Sequence, residues 1–241
     1  MYEERVYRSR IVSKFKLEVS FKESDLLICS DKKISQDLAE SILIKYYNQI
    51  KEYLKQNPAF LTSLSPFKED KNAPEIVRKM IEASSITGIG PFSCVAGVIA
   101  QYTGIELLRF CDEIIVENGG DIFCKINEDK ALGVYLGENF GVKNLTLKIR
   151  KKEYPFGIAS SSSTIGHSLN FGKADLVTVI AKDAALADSF ATSLSNKVKK
   201  KEDVDKILEE VKDISFIQGL FIAFEGNIFI WGDVEILDTR C

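Results

Sequence analysis

The chain reads as an α+β protein, with mixed, largely antiparallel sheets packed against helices. Three observations predict this class. Segments such as the one from Phe15 to Phe21 alternate apolar and polar residues at the two-residue period of a strand. The strand-like segments are joined mostly by short turns, and hairpins rather than helical crossovers build antiparallel sheets. Other segments, above all those near 35–57 and 184–199, switch to the period of a helix. At 241 residues the chain can bury a substantial core. With no linker-like tract or internal repeat in it, we expect one domain over residues 1–241, or two tightly packed lobes of one.

From the N-terminus, Phe15, Leu17, Val19 and Phe21 share one face and Lys14, Lys16, Glu18 and Ser20 the other. Glu23-Ser24-Asp25 is expected to turn the chain into a second, more buried strand, Leu26 to Cys29. Leu38, Ile42, Tyr46 and Tyr53 then recur near helical spacing, with Ser35 as N-cap and Asn57-Pro58 as the stop. A loop over 59–72 leads to a second helix, opened by Ala73-Pro74 and running to about Ser84. After the break at Thr87-Gly88-Ile89-Gly90-Pro91, the small apolar run from Phe92 to Phe110 suits a tightly packed central helix. Strands are expected at 112–117 and 122–126, with 131–136 and 145–150 extending the same sheet. Gly157-Ile158-Ala159 reads as a buried strand and 175–181 as another, 184–199 and 204–211 as helices. Segments 216–224, 227–231 and 234–237 read as a closing three-strand meander.

Composition narrows the function classes. The net charge of -3 offers no broad basic surface, so nucleic acid is not an expected partner. The run Lys197, Lys199, Lys200, Lys201 ends a helical segment, where cations complement the dipole. No segment approaches the roughly 20 apolar residues of a membrane span. The start, Met-Tyr-Glu-Glu-Arg-Val-Tyr-Arg, lacks the apolar run of a signal peptide, which leads us to expect a cytoplasmic protein. The five cysteines, Cys29, Cys94, Cys111, Cys124 and Cys241, are widely spaced and the chain has one histidine, so reduced thiols fit better than a zinc site.

Four groups of residues carry chemistry in this reading. Asn118, Gly119, Gly120 and Asp121 form either a plain hairpin turn needing positive φ or a bare-backbone seat for a phosphate or a planar ring. Ser160, Ser161, Ser162, Ser163 and Thr164, followed by Gly166 and His167, form a turn-prone run whose hydroxyls and N–H groups either close the loop or bind a ligand. No Gly-x-Ser-x-Gly elbow accompanies them, which argues against a serine hydrolase. His167, the one side chain with an unperturbed pKa near neutrality, is the candidate catalytic group, to orient or protonate a ligand. Asp188 and Thr192, four apart on a helix, share a face and suit a hard cation such as Mg2+, which takes its other ligands from water and phosphate.

These motifs in their order resemble those of the ApbE-like superfamily: Val-Glu-Asn-Gly-Gly-Asp-Ile, then Gly-His-Ser-Leu-Asn-Phe-Gly-Lys-Ala-Asp, Val-Thr-Val-Ile-Ala and Ala-Asp-Ser-Phe-Ala-Thr. The chain is most similar to the family's uncharacterised cytoplasmic branch, from about Pro91 to Trp231-Gly232. The resemblance implies an ApbE-like, T-fold-related architecture and a flavin-sized site. Characterised members bind FAD and, with Mg2+, transfer its FMN half to a threonine of a target protein. Carried over, Gly119, Gly120 and Asp121 match the Gly-Gly-Asp segment, His167 the family's histidine, and Asp188 and Thr192 its Mg2+-binding pair. The transferases' Lys-Gly-x-x-x-Asp helix motif is altered: Ala96 stands for the lysine and Gln101 for the aspartate. The implied ligands are therefore FAD, or a similar phosphate-bearing ligand, and Mg2+, with the nucleotide hydrolysed or transferred to a protein acceptor if the chain is an enzyme. A non-catalytic flavin or nucleotide binder is the alternative. A persulfide carrier using a reactive cysteine is a third, with Cys241 the most accessible thiol. The small-residue helix at 92–110 packs either internally or across a homo-oligomer.

Overall fold

The computed structural model describes residues 13–136, 140, 144–163 and 170–238. Strands β1 (Phe15–Phe21) and β2 (Ser24–Ser30) form the first hairpin. Its register pairs Phe21 with Ser24, so the turn is Lys22-Glu23, one residue earlier than the sequence suggests. That register sets Leu17 against Ile28 and Val19 against Leu26, which keeps the apolar side chains on one face.

Helix α1 (Gln36–Gln56) starts as expected: Ser35 Oγ accepts from Leu38 N at 3.3 Å. The predicted loop contains a one-turn helix, α2 (Ala59–Thr62), because fully buried Phe60 anchors it between the rings of Tyr53 and Phe67, at centroid distances of 5.2 and 5.1 Å. Helix α3 (Glu75–Thr87) runs past Ser84 and ends at Gly88, whose N–H bonds back to Ser84 O. Pro91–Cys94 is a 3₁₀ turn, and α4 (Val95–Leu107) follows it, shorter at both ends than the predicted helix.

Strands β3 (Ile114–Asn118), β4 (Asp121–Lys125), β7 (Phe156–Ser161), β8 (Leu176–Ala181), β9 (Ile217–Phe224) and β10 (Asn227–Gly232) join β1 and β2 in one eight-stranded sheet, with order β1-β2-β3-β4-β7-β8-β9-β10. Every neighbouring pair in it is antiparallel. Strands β5 (Lys130–Tyr135), β6 (Asn144–Ile149) and β11 (Glu235–Asp238) form a second sheet of three, in the order β11-β6-β5. This corrects two expectations: 131–136 and 145–150 do not extend the large sheet, and 234–237 leaves the closing meander to pair with β6. Alternation along a strand fixes which side chains are apolar, and it reads the same whether they meet a neighbouring layer or a helix.

The large sheet therefore has two covered faces. Leu26, Val116, Phe123, Ala159, Val177, Val179 and Leu220 pack with α1, α3, α4 and α5 (Ala184–Lys197). Cys124, Phe156, Ile158, Leu176, Ile180 and Phe221 pack with Val134, Leu136, Leu145, Leu147 and Ile149 of the small-sheet layer. Helix α6 (Lys201–Glu210) begins before the predicted Val204, because the N–H groups of Lys199 and Lys200 both donate to Asp203 at 3.1 Å. Among the described residues, no single helix is long and apolar enough to cross a membrane.

Candidate functional site

The β3–β4 turn sits at one end of the large sheet. Asn118 pairs with Asp121, and Gly119 and Gly120 between them take φ of 68° and 103°, the positive values of a two-residue hairpin turn. Asn118 fixes this turn to its surroundings. Its Nδ2 donates to Ala96 O at 3.2 Å, and its Oδ1 accepts from Asp25 N at 3.4 Å. Gly120 N donates to Glu117 Oε1 at 2.8 Å, so this glycine N–H is committed to a carboxylate of the same hairpin. Glu117 and Asp121 are both buried.

Next to this turn, α4 crosses α5 at very short range. Gly97 is the third residue of α4, and its N–H is one of those a helix cannot satisfy internally. It donates to Asp188 Oδ2 at 2.9 Å. A Cβ on Gly97 would lie 2.5 Å from Ala184 O and 2.8 Å from Asp188 Cβ, so only glycine permits the contact. Asp188 is 7 % exposed, and Thr192, one turn on, is also buried. Burial pushes the Asp188 carboxyl up to about 7, against the opposing effect of the Gly97 N–H. Among the described residues, that N–H is the one hydrogen-bond donor reaching it. The charge of Asp188 adds to burial in raising the thiol of Cys94.

The start of α5 is fixed from two other helices. Asp183 caps Leu186 N at 2.9 Å and pairs with Lys79 of α3 at 2.7 Å. Gln101 Oε1 of α4 accepts from Ala185 N at 3.0 Å. The Gln101 amide is thus engaged in holding the helix that carries Asp188.

The serine run divides. Ser160 and Ser161 belong to β7 and not to a turn. Ser160 bonds Thr178 at 2.8 Å on the face toward the small sheet, where Ile158 and Ile180 pack, and so points away from α5. Ser161 faces α5, where Asn170 Nδ2 bridges its hydroxyl, at 3.0 Å, and that of Ser195, at 2.7 Å. Ser162 is buried, and Ser163 bonds Ala174 O through Oγ at 2.6 Å and N at 3.1 Å, which closes the segment onto β8. Gly166 and His167 lie outside the described residues. Continuing the Ile122–Ile158 register by one residue brings Asp121 beside Ala159, so the glycine turn and the end of β7 share one end of the sheet. The sequence reading missed Glu117 and Asn170. A glutamate inside an apolar strand was a signal for the first; the second had none.

A cavity of about 280 Å³ lies between α3, α5 and the segment 210–216. It is lined by Phe190, Ser193, Leu194 and Lys197, the opposite side of α5 from Asp188 and Thr192. It is not part of this site.

The model of a family described as AbpE bacteria matches residues 8–215. The chain belongs to that family. The match reaches back well before Pro91, where the resemblance in motifs begins. Among its relatives, the UPF0280 protein of Methanocaldococcus jannaschii is 37% identical over 231 residues, covering 93% of this chain and 94% of the relative. The UPF0280 protein of Methanococcus vannielii is 37% identical over 216 residues, covering 88% and 87%. Among solved structures, the fold is similar to that of the flavin transferase ApbE from Vibrio cholerae, with a TM-score of 0.60 at 10% identity, covering 90% of this chain and 96% of that one. The ApbE protein of Thermotoga maritima gives 0.53 at 14% identity, covering 93% and 97%. At these identities the likeness is one of fold, and it shows the α+β, ApbE-like architecture that the sequence predicts.

Proposed function

We propose that this chain binds a flavin nucleotide, FAD, together with Mg2+, at the sheet end bounded by Asn118–Asp121, the start of α4 and the Asp188–Thr192 face of α5. The observation that carries the reading is the buried Asp188 carboxylate, held in place by Gly97 N–H, with the Thr192 hydroxyl one turn away. The donors fit the cation. A carboxylate and a hydroxyl are hard oxygens, and Mg2+ is commonly held by one or two protein ligands with water and phosphate supplying the rest. The described residues contain no cluster of three or more His, Cys, Asp or Glu that would favour a softer or fully protein-bound metal. When bound, Mg2+ would offset the charge of the ligand's phosphates. Gly97 and Gln101 position Asp188 and α5, and Asn118 ties the glycine turn to α4. His167 takes the proton-handling role, and the protein works in the cytoplasm, where its thiols stay reduced.

The test is calorimetric titration with FAD, with and without millimolar Mg2+. The expected result is Mg2+-dependent binding that falls at least tenfold in Asp188→Ala, the size of a lost charge-assisted contact of about 1.4 kcal/mol or more. Absence of FAD binding at millimolar Mg2+ rejects the reading. Two specific observations favour a binder without transfer activity. Ala96 supplies no cation, and the Gln101 amide oxygen is occupied by Ala185 N. Incubation with FAD and a candidate acceptor separates the two, since a covalent FMN adduct by mass spectrometry requires the transferase. A persulfide carrier would have to act through Cys241, which lies outside the described residues: the described cysteines are buried, and burial pushes the thiols of Cys94 and Cys124 well up and that of Cys111 to about 11.

A further inference from the structure

The eight-stranded sheet ends in two different edges. At one, β1 (Phe-Lys-Leu-Glu-Val-Ser-Phe) carries Lys16 and Glu18. At the other, β10 (Asn-Ile-Phe-Ile-Trp-Gly) carries no charge and no proline. Soluble proteins blunt exposed edges with charges, prolines, bulges or covering segments, because a row of free N–H and C=O groups templates another strand. β10 pairs with β9 in continuous register from Asn227–Phe224 to Gly232–Gly219, with no bulge.

The hairpin geometry determines which backbone groups face outward. Glu225 and Gly226 take φ of 48° and 74°, so the β9–β10 turn is of the two-residue kind whose closing pair exchanges both its hydrogen bonds. Asn227, Phe229 and Trp231 therefore point their N–H and C=O groups at β9, while Ile228, Ile230 and Gly232 point theirs away. Gly232 O accepts from Val234 N at 2.8 Å. Among the described residues, no hydrogen bond reaches the N–H or C=O of Ile228 or Ile230 from outside the sheet. Ile230 is 48 % exposed.

We propose that β10 pairs antiparallel with β10 of a second copy of this chain, about a two-fold axis at Ile230. In this register Ile230 faces Ile230 of the second copy, and Ile228 faces Gly232. The Ile230 pair presents outward N–H and C=O groups to its mate, while Gly232, whose C=O is held by Val234 N, offers its N–H to the Ile228 carbonyl. Phe229 then lies across from Trp231 of the second copy, twice by symmetry, and aromatic pairs are among the favourable cross-strand neighbours. A second copy is the occupant because the strand is uncharged, so self-pairing opposes no like charges. β10 starts at the sheet end that holds the Asn118–Asp121 turn. Antiparallel pairing therefore leaves the two candidate sites at opposite ends of the joined sheet.

Sedimentation of the full chain across the micromolar range tests this. The expected wild type is a dimer. Ile230→Lys should weaken it by about a hundredfold or more, since two ammonium groups would meet at the axis. Ile230→Pro removes an N–H that the monomer does not use and should also yield a folded monomer, checked by circular dichroism and melting temperature. In a Cys241→Ser background, Ile230→Cys should oxidise to a disulfide-linked dimer, because paired strands hold such residues within bridging range. A wild type that stays monomeric throughout, or a dimer that persists unweakened in folded Ile230→Lys, overturns the proposal.

Discussion

The α4–α5 crossing and the serine strand β7 both bring small or polar residues into the interior, and they do so for different reasons. At the crossing, Gly97 lets two helices touch and leaves a buried carboxylate with a backbone N–H as its hydrogen-bond donor. Along β7, the hydroxyls of Ser160, Ser161 and Ser163 are each matched by a named neighbour: Thr178, Asn170 and Ala174 O. A run of serines is the louder signal in a sequence, yet its groups are largely spent on the fold. The single aspartate is quieter, and its environment is the one that costs energy unless a cation or a proton compensates it.

Three substitutions sharpen this contrast, ordered by expected loss of stability. Gly97→Val should cost the most, about 3 kcal/mol or more in urea unfolding, because its side chain meets Ala184 backbone and Asp188 and forces the helices apart. It should also abolish FAD binding, so a Gly97→Val protein as stable as wild type breaks the picture of a tight crossing. Asn170→Ala should cost about 2 kcal/mol, since it strips a shared donor from Ser161 and Ser195 and an acceptor from Gly172 N. Ser160→Ala should cost about 1 kcal/mol or less, because Thr178 keeps one hydroxyl in the pair. It should leave FAD affinity unchanged, as the residue faces the small-sheet layer. A clear loss of affinity in Ser160→Ala, measured by titration, would put the serine strand back into the site.

Much of the local structure was legible in the sequence. Ser35 caps α1 through a bond to Leu38 N, three residues on. The Asn118–Asp121 hairpin needs its glycines at positive φ, and the strand and helix periods fall where they were expected. Boundaries moved where a contact from elsewhere extended or trimmed an element, as at Thr87 and Lys197.

By itself, then, the sequence determined the fold class, most of the element types and the family, because period, caps and turn residues act within a few positions of one another. It also placed Asp188 and Thr192 on one helix face. Only the tertiary structure decided which strands form the small sheet, which face Ser160 takes, and that Asp188 is buried against Gly97. Those outcomes rest on residues far apart in the chain. Gly97 and Asp188 are 91 positions apart, and Gln101 and Ala185 are 84 apart. Alternation along one strand or helix shows which side chains seek an interior; it cannot show which distant segment supplies it.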